Sequence, residues 1–117
     1  EHYPMDKNNK FKEFIKNPDC KEIKELFIEK NAHVYLFGHT HQTCYLKENG
    51  KYYINPGSLG CPINSKGANA GILEICNEKI QYTQLEIEYN VEEVINRIQQ
   101  LNYPLADNMI NKFYLNK

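Results

Sequence analysis

Hydrophobic residues recur at helical spacing in one segment of the first third of the chain. These apolar positions, with charged residues between them, are Cys20, Ile23, Leu26 and Phe27. This spacing predicts a helix with one apolar face. Asn17 is a suitable N-cap and Pro18 a suitable first helical residue, so we predict a helix that runs from Pro18 to about Lys30.

The next apolar segment, Val34–Phe37, is continuous and rich in strand-forming residues, which is typical of a buried strand that ends at Gly38. Strand-like residues 45–46 and 51–54 follow. They flank Asn49-Gly50, a pair that favours a tight hairpin turn.

A second hairpin is predicted from residues 71–76 and 79–88, joined through Asn77-Glu78. Between the two hairpins, residues 59–70 are rich in glycine and asparagine and are predicted to form a loop.

A helical tail is predicted from about residue 90 to residue 117. Asn90 is a candidate N-cap, with Glu93 three residues later as its capping-box partner. The apolar face of the first tail helix is Val91, Val94, Ile95, Ile98 and Leu101. After the interruption at Tyr103-Pro104, the apolar face of the last helix is Leu105, Met109, Ile110 and Phe113.

Composition narrows the class of protein. The 117 residues amount to one domain, and 41% hydrophobic and 25% charged residues are ordinary for a folded protein. With a net charge of −1, the chain lacks the basic surface that duplex nucleic acid requires. No apolar run in the sequence is long enough to span a membrane. We therefore expect a cytoplasmic protein with neither a membrane nor duplex nucleic acid as its partner.

The cysteines, Cys20, Cys44, Cys61 and Cys76, are far apart and form no C-x-x-C pair. This pattern fits neither a zinc ribbon nor a dense disulfide scaffold. We expect reduced, mostly buried thiols, and Cys44 and Cys61 are not assigned as metal ligands.

Gly38-His39-Thr40-His41 directly follows the predicted buried strand. The glycine permits a sharp turn, so both imidazoles can point toward one small region at the end of the strand. Neutral imidazole is a common ligand of divalent transition metals. On its own the pair leaves open both a metal site and an ordinary polar loop. His33, at the start of the strand, is interpreted as a surface residue.

The order of these elements resembles the C-terminal half of the calcineurin-like metallophosphoesterases, in particular the small bacterial and archaeal phosphodiesterases. The strand, the Gly38–His41 motif, the hairpin and Ile54–Ser58 follow one another in family order, as do Gly60–Pro62 and Ala70–Ile75. The resemblance implies an α/β fold: the C-terminal half of a four-layer α/β/β/α sandwich. The tail is similar to an extension found in one branch of the family.

The resemblance also implies the roles of individual residues. His41 would bind a first divalent cation, and His39 and His2 a second, each being Mn, Fe, Ni or Zn. The substrate-binding loop would include Asn55, Gly57 and Ser58, which are equally compatible with a plain turn. In such a centre a metal-bound hydroxide attacks a phosphodiester or phosphomonoester.

Other ligands of the family are missing from the sequence, which contains no Asp-x-His, Gly-Asp or Gly-Asn-His. We therefore expect residues 1–117 to be a single partial domain of a longer enzyme, without catalytic residues of its own. Alone it would be inactive and would bind one metal ion or none. Its partners would be the missing N-terminal half and a small phosphoester, and its uncovered sheet edge predicts a dimer or strand exchange.

Two alternatives stay open at this stage. A non-catalytic protein-interaction scaffold of the same fold needs no metal. A mononuclear zinc site formed by His39 and His41 with water needs no second cation.

Overall fold

The computed structural model describes residues 20–27, 30–63 and 65–115. In chain order the elements are α1 (Cys20–Leu26), β1 (Val34–Leu36), β2 (Cys44–Glu48), β3 (Lys51–Asn55), β4 (Ala68–Cys76), β5 (Lys79–Ile87), α2 (Val91–Gln100), α3 (Ala106–Ile110) and a π-helical segment (Asn111–Leu115). The mixed α/β class is confirmed. Among these described helices, none is long and apolar enough to cross a bilayer.

The first sheet has the strand order β1-β3-β2, with β1 parallel to β3 and β2 antiparallel to it. Asn49 (φ 51°) and Gly50 (φ 74°) are both left-handed, which is the geometry of a two-residue hairpin turn. The predicted strand and hairpin are thereby confirmed. Strand β3 lies in the centre of the sheet, and Ile54 on it is 0% exposed.

Aromatic rings fill the space between α1 and this sheet. Tyr35 and Tyr53 stack with ring centroids 4.9 Å apart, and Phe27 lies 5.1 Å from Tyr35. The Tyr35 hydroxyl donates to the carbonyl of Lys30 at 2.6 Å and accepts from the amide of Ala32 at 3.2 Å. One side chain of the sheet therefore holds the connection that leads into β1.

The prediction that α1 continues to about Lys30 is wrong, because the helix ends at Leu26. Phe27 lies in a turn, where its ring packs against the aromatic side chains of the first sheet. Tertiary packing therefore overrides the helical periodicity at this point. The predicted start signals Asn17 and Pro18 lie outside the described residues.

The second sheet is the hairpin β4-β5. Its turn residues are Asn77 and Glu78, as predicted, and both are left-handed (φ 47° and 64°). Strand β4 begins at Ala68, three residues before the predicted start, so the expected loop at 59–70 is shorter than predicted. The reason is tertiary: Ala68 pairs with Ile87 and extends the ladder.

The tail is built as predicted at its beginning and differs toward its end. The Asn90 side chain accepts a hydrogen bond from the amide of Glu93 at 3.2 Å, which confirms the cap of α2. Leu105 does not join the apolar face of the last helix, because it is the left-handed N-cap of α3 (φ 58°) and is 75% exposed. Leu101, also predicted for the buried face, is an exposed C-cap.

The expectation of four reduced, mostly buried thiols is also wrong. Cys20 and Cys44 form a disulfide, with their Cα atoms 5.6 Å apart, because α1 packs against the beginning of β2. Cys61 is a half-buried free thiol and Cys76 an exposed one. The disulfide joins the first described helix to the strand that follows the histidine motif.

We predict that the oxidised chain, denatured without reductant, contains two reactive thiols, and four after reduction. Cys20 and Cys44 are separated by 24 positions in the sequence, and loss of their disulfide increases the entropy of the unfolded chain. Cys44→Ser should therefore lower the free energy of unfolding by about 3 kcal/mol. Thiol titration and urea unfolding measure both quantities. Cys76→Ser is the matched control and should change stability little; equal losses in both variants would contradict the assignment.

Candidate metal centre

The histidine motif forms a tight loop directly after β1. His39 (φ 73°) and His41 (φ 60°) both have left-handed backbones, which are uncommon for residues other than glycine. The amide of Thr40 donates to the carbonyl of Gly38 at 2.9 Å, closing the turn. His39 is exposed and His41 is half-buried, so the loop presents one imidazole to solvent and packs the other against the protein.

Asn55, at the end of β3, connects this loop to the turn that follows it. Its side chain is 0% exposed. Its Nδ2 donates to Thr40 Oγ1 at 2.9 Å, and its Oδ1 accepts from the amide of Gly57 at 2.9 Å. The predicted substrate-binding residue Asn55 therefore lies beneath the histidine loop, with its amide bonded on both sides.

Gly57 and Ser58, the other predicted substrate-binding residues, form the next turn. Gly57 is left-handed (φ 92°), and a Cβ added there would lie 2.9 Å from the Cβ of Asn69. Ser58 Oγ accepts from the amide of Cys61 at 3.0 Å, and the Ser58 carbonyl accepts from the amide of Asn69 at 3.0 Å. The turn is thus packed tightly against the start of β4.

The helical tail contacts both of these loops. The rings of Phe113 and His41 are 5.7 Å apart, centroid to centroid, and tilted by 41°. The Tyr114 hydroxyl donates to the carbonyl of Gly60 at 2.5 Å. Neither Phe113 nor Tyr114 was predicted as a site residue. Aromatic residues in a helical segment are usually ordinary core residues, so the sequence carries no separate signal that these two belong to a site.

Burial shapes the chemistry of the phenols at this contact. Desolvation, with the nearby thiol of Cys61 as a smaller cause, raises the pKa of Tyr114 to about 12. The same two causes raise the pKa of Tyr89, whose hydroxyl is buried. Both phenols are therefore neutral at physiological pH, and Tyr114 acts as a hydrogen-bond donor.

Whether a metal ion fits depends on the type and number of ligand atoms that the described residues offer. His39 and His41 supply imidazoles, the donor type that suits Mn, Fe, Ni and Zn. Residues 20–27, 30–63 and 65–115 contain no group of three histidine, cysteine or carboxylate side chains placed to hold one ion. Cys44 is in a disulfide, and His2 lies outside the described residues. The chemistry of the donors fits, but their number does not complete a site.

A comparison with known families gives the context of this loop. The model of the calcineurin-like phosphoesterase superfamily domain matches residues 12–78, which is more than half of the chain. The chain belongs to this superfamily. The match covers the histidine loop and the 55–58 turn, whereas β5 and the helical tail lie beyond it. A search of curated proteins found no match.

Gly57 in the 55–58 turn and Gly60 just after it allow a matched test of the packing of this turn. Gly57→Ala should lower the free energy of unfolding by about 3 kcal/mol, because a left-handed backbone and a contact of 2.9 Å both oppose the added methyl. Gly60→Ala, which meets nothing within 4 Å, should change it by less than about 0.5 kcal/mol. Urea unfolding measures both, and similar losses would show that the turn is not tightly packed.

The raised pKa of Tyr114 predicts a pH dependence. An unfolded tyrosine loses its proton near its usual pKa of 10.0 and the folded one near 12, so the folded state binds more protons between these values. This tyrosine should leave stability unchanged below about pH 10 and lower it as pH rises from there toward 12. In Tyr114→Phe that part of the decline should be absent, whereas the exposed Tyr103→Phe should retain it, as measured by unfolding at pH 9 to 11.

Proposed function

We propose that the protein is the C-terminal part of a metal-dependent phosphoesterase and that His39 and His41 are two ligands of its dinuclear centre. The observation that supports this most directly is the left-handed loop that carries both imidazoles, placed directly after β1 within the matched superfamily region. His39 and His41 would help to hold divalent cations, which would supply Lewis-acid chemistry toward a phosphoester.

The residues of this chain position those imidazoles. Asn55 bonds Thr40, the residue between the two histidines, and so holds the loop at the end of β3. Because the same amide bonds Gly57, the 55–58 turn is held at a constant position relative to the histidines. Asn55, Gly57 and Ser58 would thereby shape the edge of the substrate site, and the internal bonds of the Asn55 side chain favour a supporting role for it.

The carboxylate ligands must come from elsewhere. The aspartates of the sequence, Asp6, Asp19 and Asp107, form none of the family's Asp-x-His or Gly-Asp motifs. We propose that a preceding segment supplies them together with the rest of a four-layer sandwich, and that His2 joins His39 at the second cation. Without that segment, the uncovered sheet would favour pairing with a second copy of the chain.

Removing His39 tests this function. In the full-length gene product, assayed on bis-p-nitrophenyl phosphate with Mn²⁺, His39→Ala should lower turnover at least about 100-fold, since even the loss of an outer-shell partner of a metal costs about 10–100-fold. His41→Ala should do the same. Metal content, measured by mass spectrometry of the purified variants, should fall in parallel.

His33→Ala is the matched control, because His33 is an exposed histidine directly before β1 whose backbone carbonyl, which the substitution retains, accepts from the amide of Tyr52 at 2.8 Å. It should retain wild-type turnover. Retention of activity by His39→Ala would contradict the assignment of that residue. A folded full-length protein that binds no divalent metal and hydrolyses no phosphoester would contradict the proposal and favour the interaction scaffold.

A further inference from the structure

The helical tail lies beyond the part of the chain that matches the superfamily model, yet it contacts both loops of the candidate site. Two consecutive residues make these contacts. Phe113 packs against the imidazole of His41, and Tyr114 bonds the carbonyl of Gly60. Neighbouring side chains on a helical turn point in different directions, so a single turn can reach two separate loops.

The tail is well anchored where it makes these contacts. Tyr114 is 8% exposed and belongs to the same core as Ile98 and Ile110, with Phe113 packed at its edge. The contacts are made by a π-helical segment, a rare geometry that is frequent at functional sites. A shift of this segment would therefore cost packing in the core of the tail.

The histidine loop needs such support. The left-handed backbone of His41 is unfavourable for a residue with a Cβ, and such conformations persist where surrounding contacts hold them. Asn55 secures the loop through Thr40. The imidazole of His41 itself is contacted by the ring of Phe113.

We propose that the C-terminal tail is a positioning element of the metal centre: Phe113 holds the imidazole of His41, and Tyr114 holds the adjoining loop at Gly60. This inference rests on the proposed role of His41 as a metal ligand. Pre-orienting a ligand reduces the ordering that must accompany metal binding, so loss of the Phe113 ring should weaken metal affinity without removing any ligand.

The test uses the full-length gene product with Zn²⁺ alone as the probe. Phe113→Leu retains an apolar side chain but removes the ring, and should weaken Zn²⁺ affinity, measured by chelator competition, by about tenfold. In histidine-labelled protein without metal, NMR should show that the ring signals of His41 move while those of His33 do not, because the ring current of Phe113 is lost. Phe113→Tyr, which restores a ring, should restore both.

Ile110→Val is the matched control, since Ile110 lies in the tail core with Ile98 and Tyr114, and the substitution leaves the Phe113 ring that meets His41 in place. It should leave Zn²⁺ affinity and the His41 signals near their wild-type values. If Phe113→Leu and Ile110→Val weaken affinity equally, or if Phe113→Leu moves the His41 signals without changing affinity, positioning is disproved while the metal site stands. If the wild-type protein binds no Zn²⁺, the proposed function fails and this inference fails with it.

Discussion

The buried side chain of Asn55 is the interaction on which the candidate site depends. One amide group satisfies the hydroxyl of Thr40 on one side and the backbone amide of Gly57 on the other, and no part of it is exposed. A buried polar group that loses its partner costs about 1–3 kcal/mol, so a movement of either loop away from β3 is unfavourable. This constraint ties the histidine loop and the following turn to the central strand of the sheet.

Around that connection, three further contacts link segments that are distant in sequence. The disulfide between Cys20 and Cys44 joins α1 to the strand after the histidine loop. Gln84 on β5 donates to the carbonyl of Pro56 at 3.0 Å and so supports the same turn. Tyr82, also on β5, stacks on Tyr45 of β2 with ring centroids 5.4 Å apart. The site is therefore supported from the sheet below and from β5, while the tail approaches it through Phe113.

The superfamily match and the structure bear on different aspects of function. Membership in the calcineurin-like phosphoesterases follows from residues 12–78 and implies metal-dependent chemistry for the family. Among the described residues, His39 and His41 lie in one loop, and no group of three histidine, cysteine or carboxylate side chains is placed to hold a metal ion.

Local pattern by itself determined both hairpins, the strand before the histidines and the Asn90 cap, because turn residues and side-chain alternation act between near neighbours in the chain. The histidine motif could be recognised in the sequence because its residues are also near neighbours in the chain. Four features were decided only by the tertiary structure. They are the end of α1 at Leu26, the exposure of Leu105, the Cys20–Cys44 bond and the approach of Phe113 to His41. Each depends on which distant segments pack together, and apolar periodicity states that a face is buried without stating what buries it.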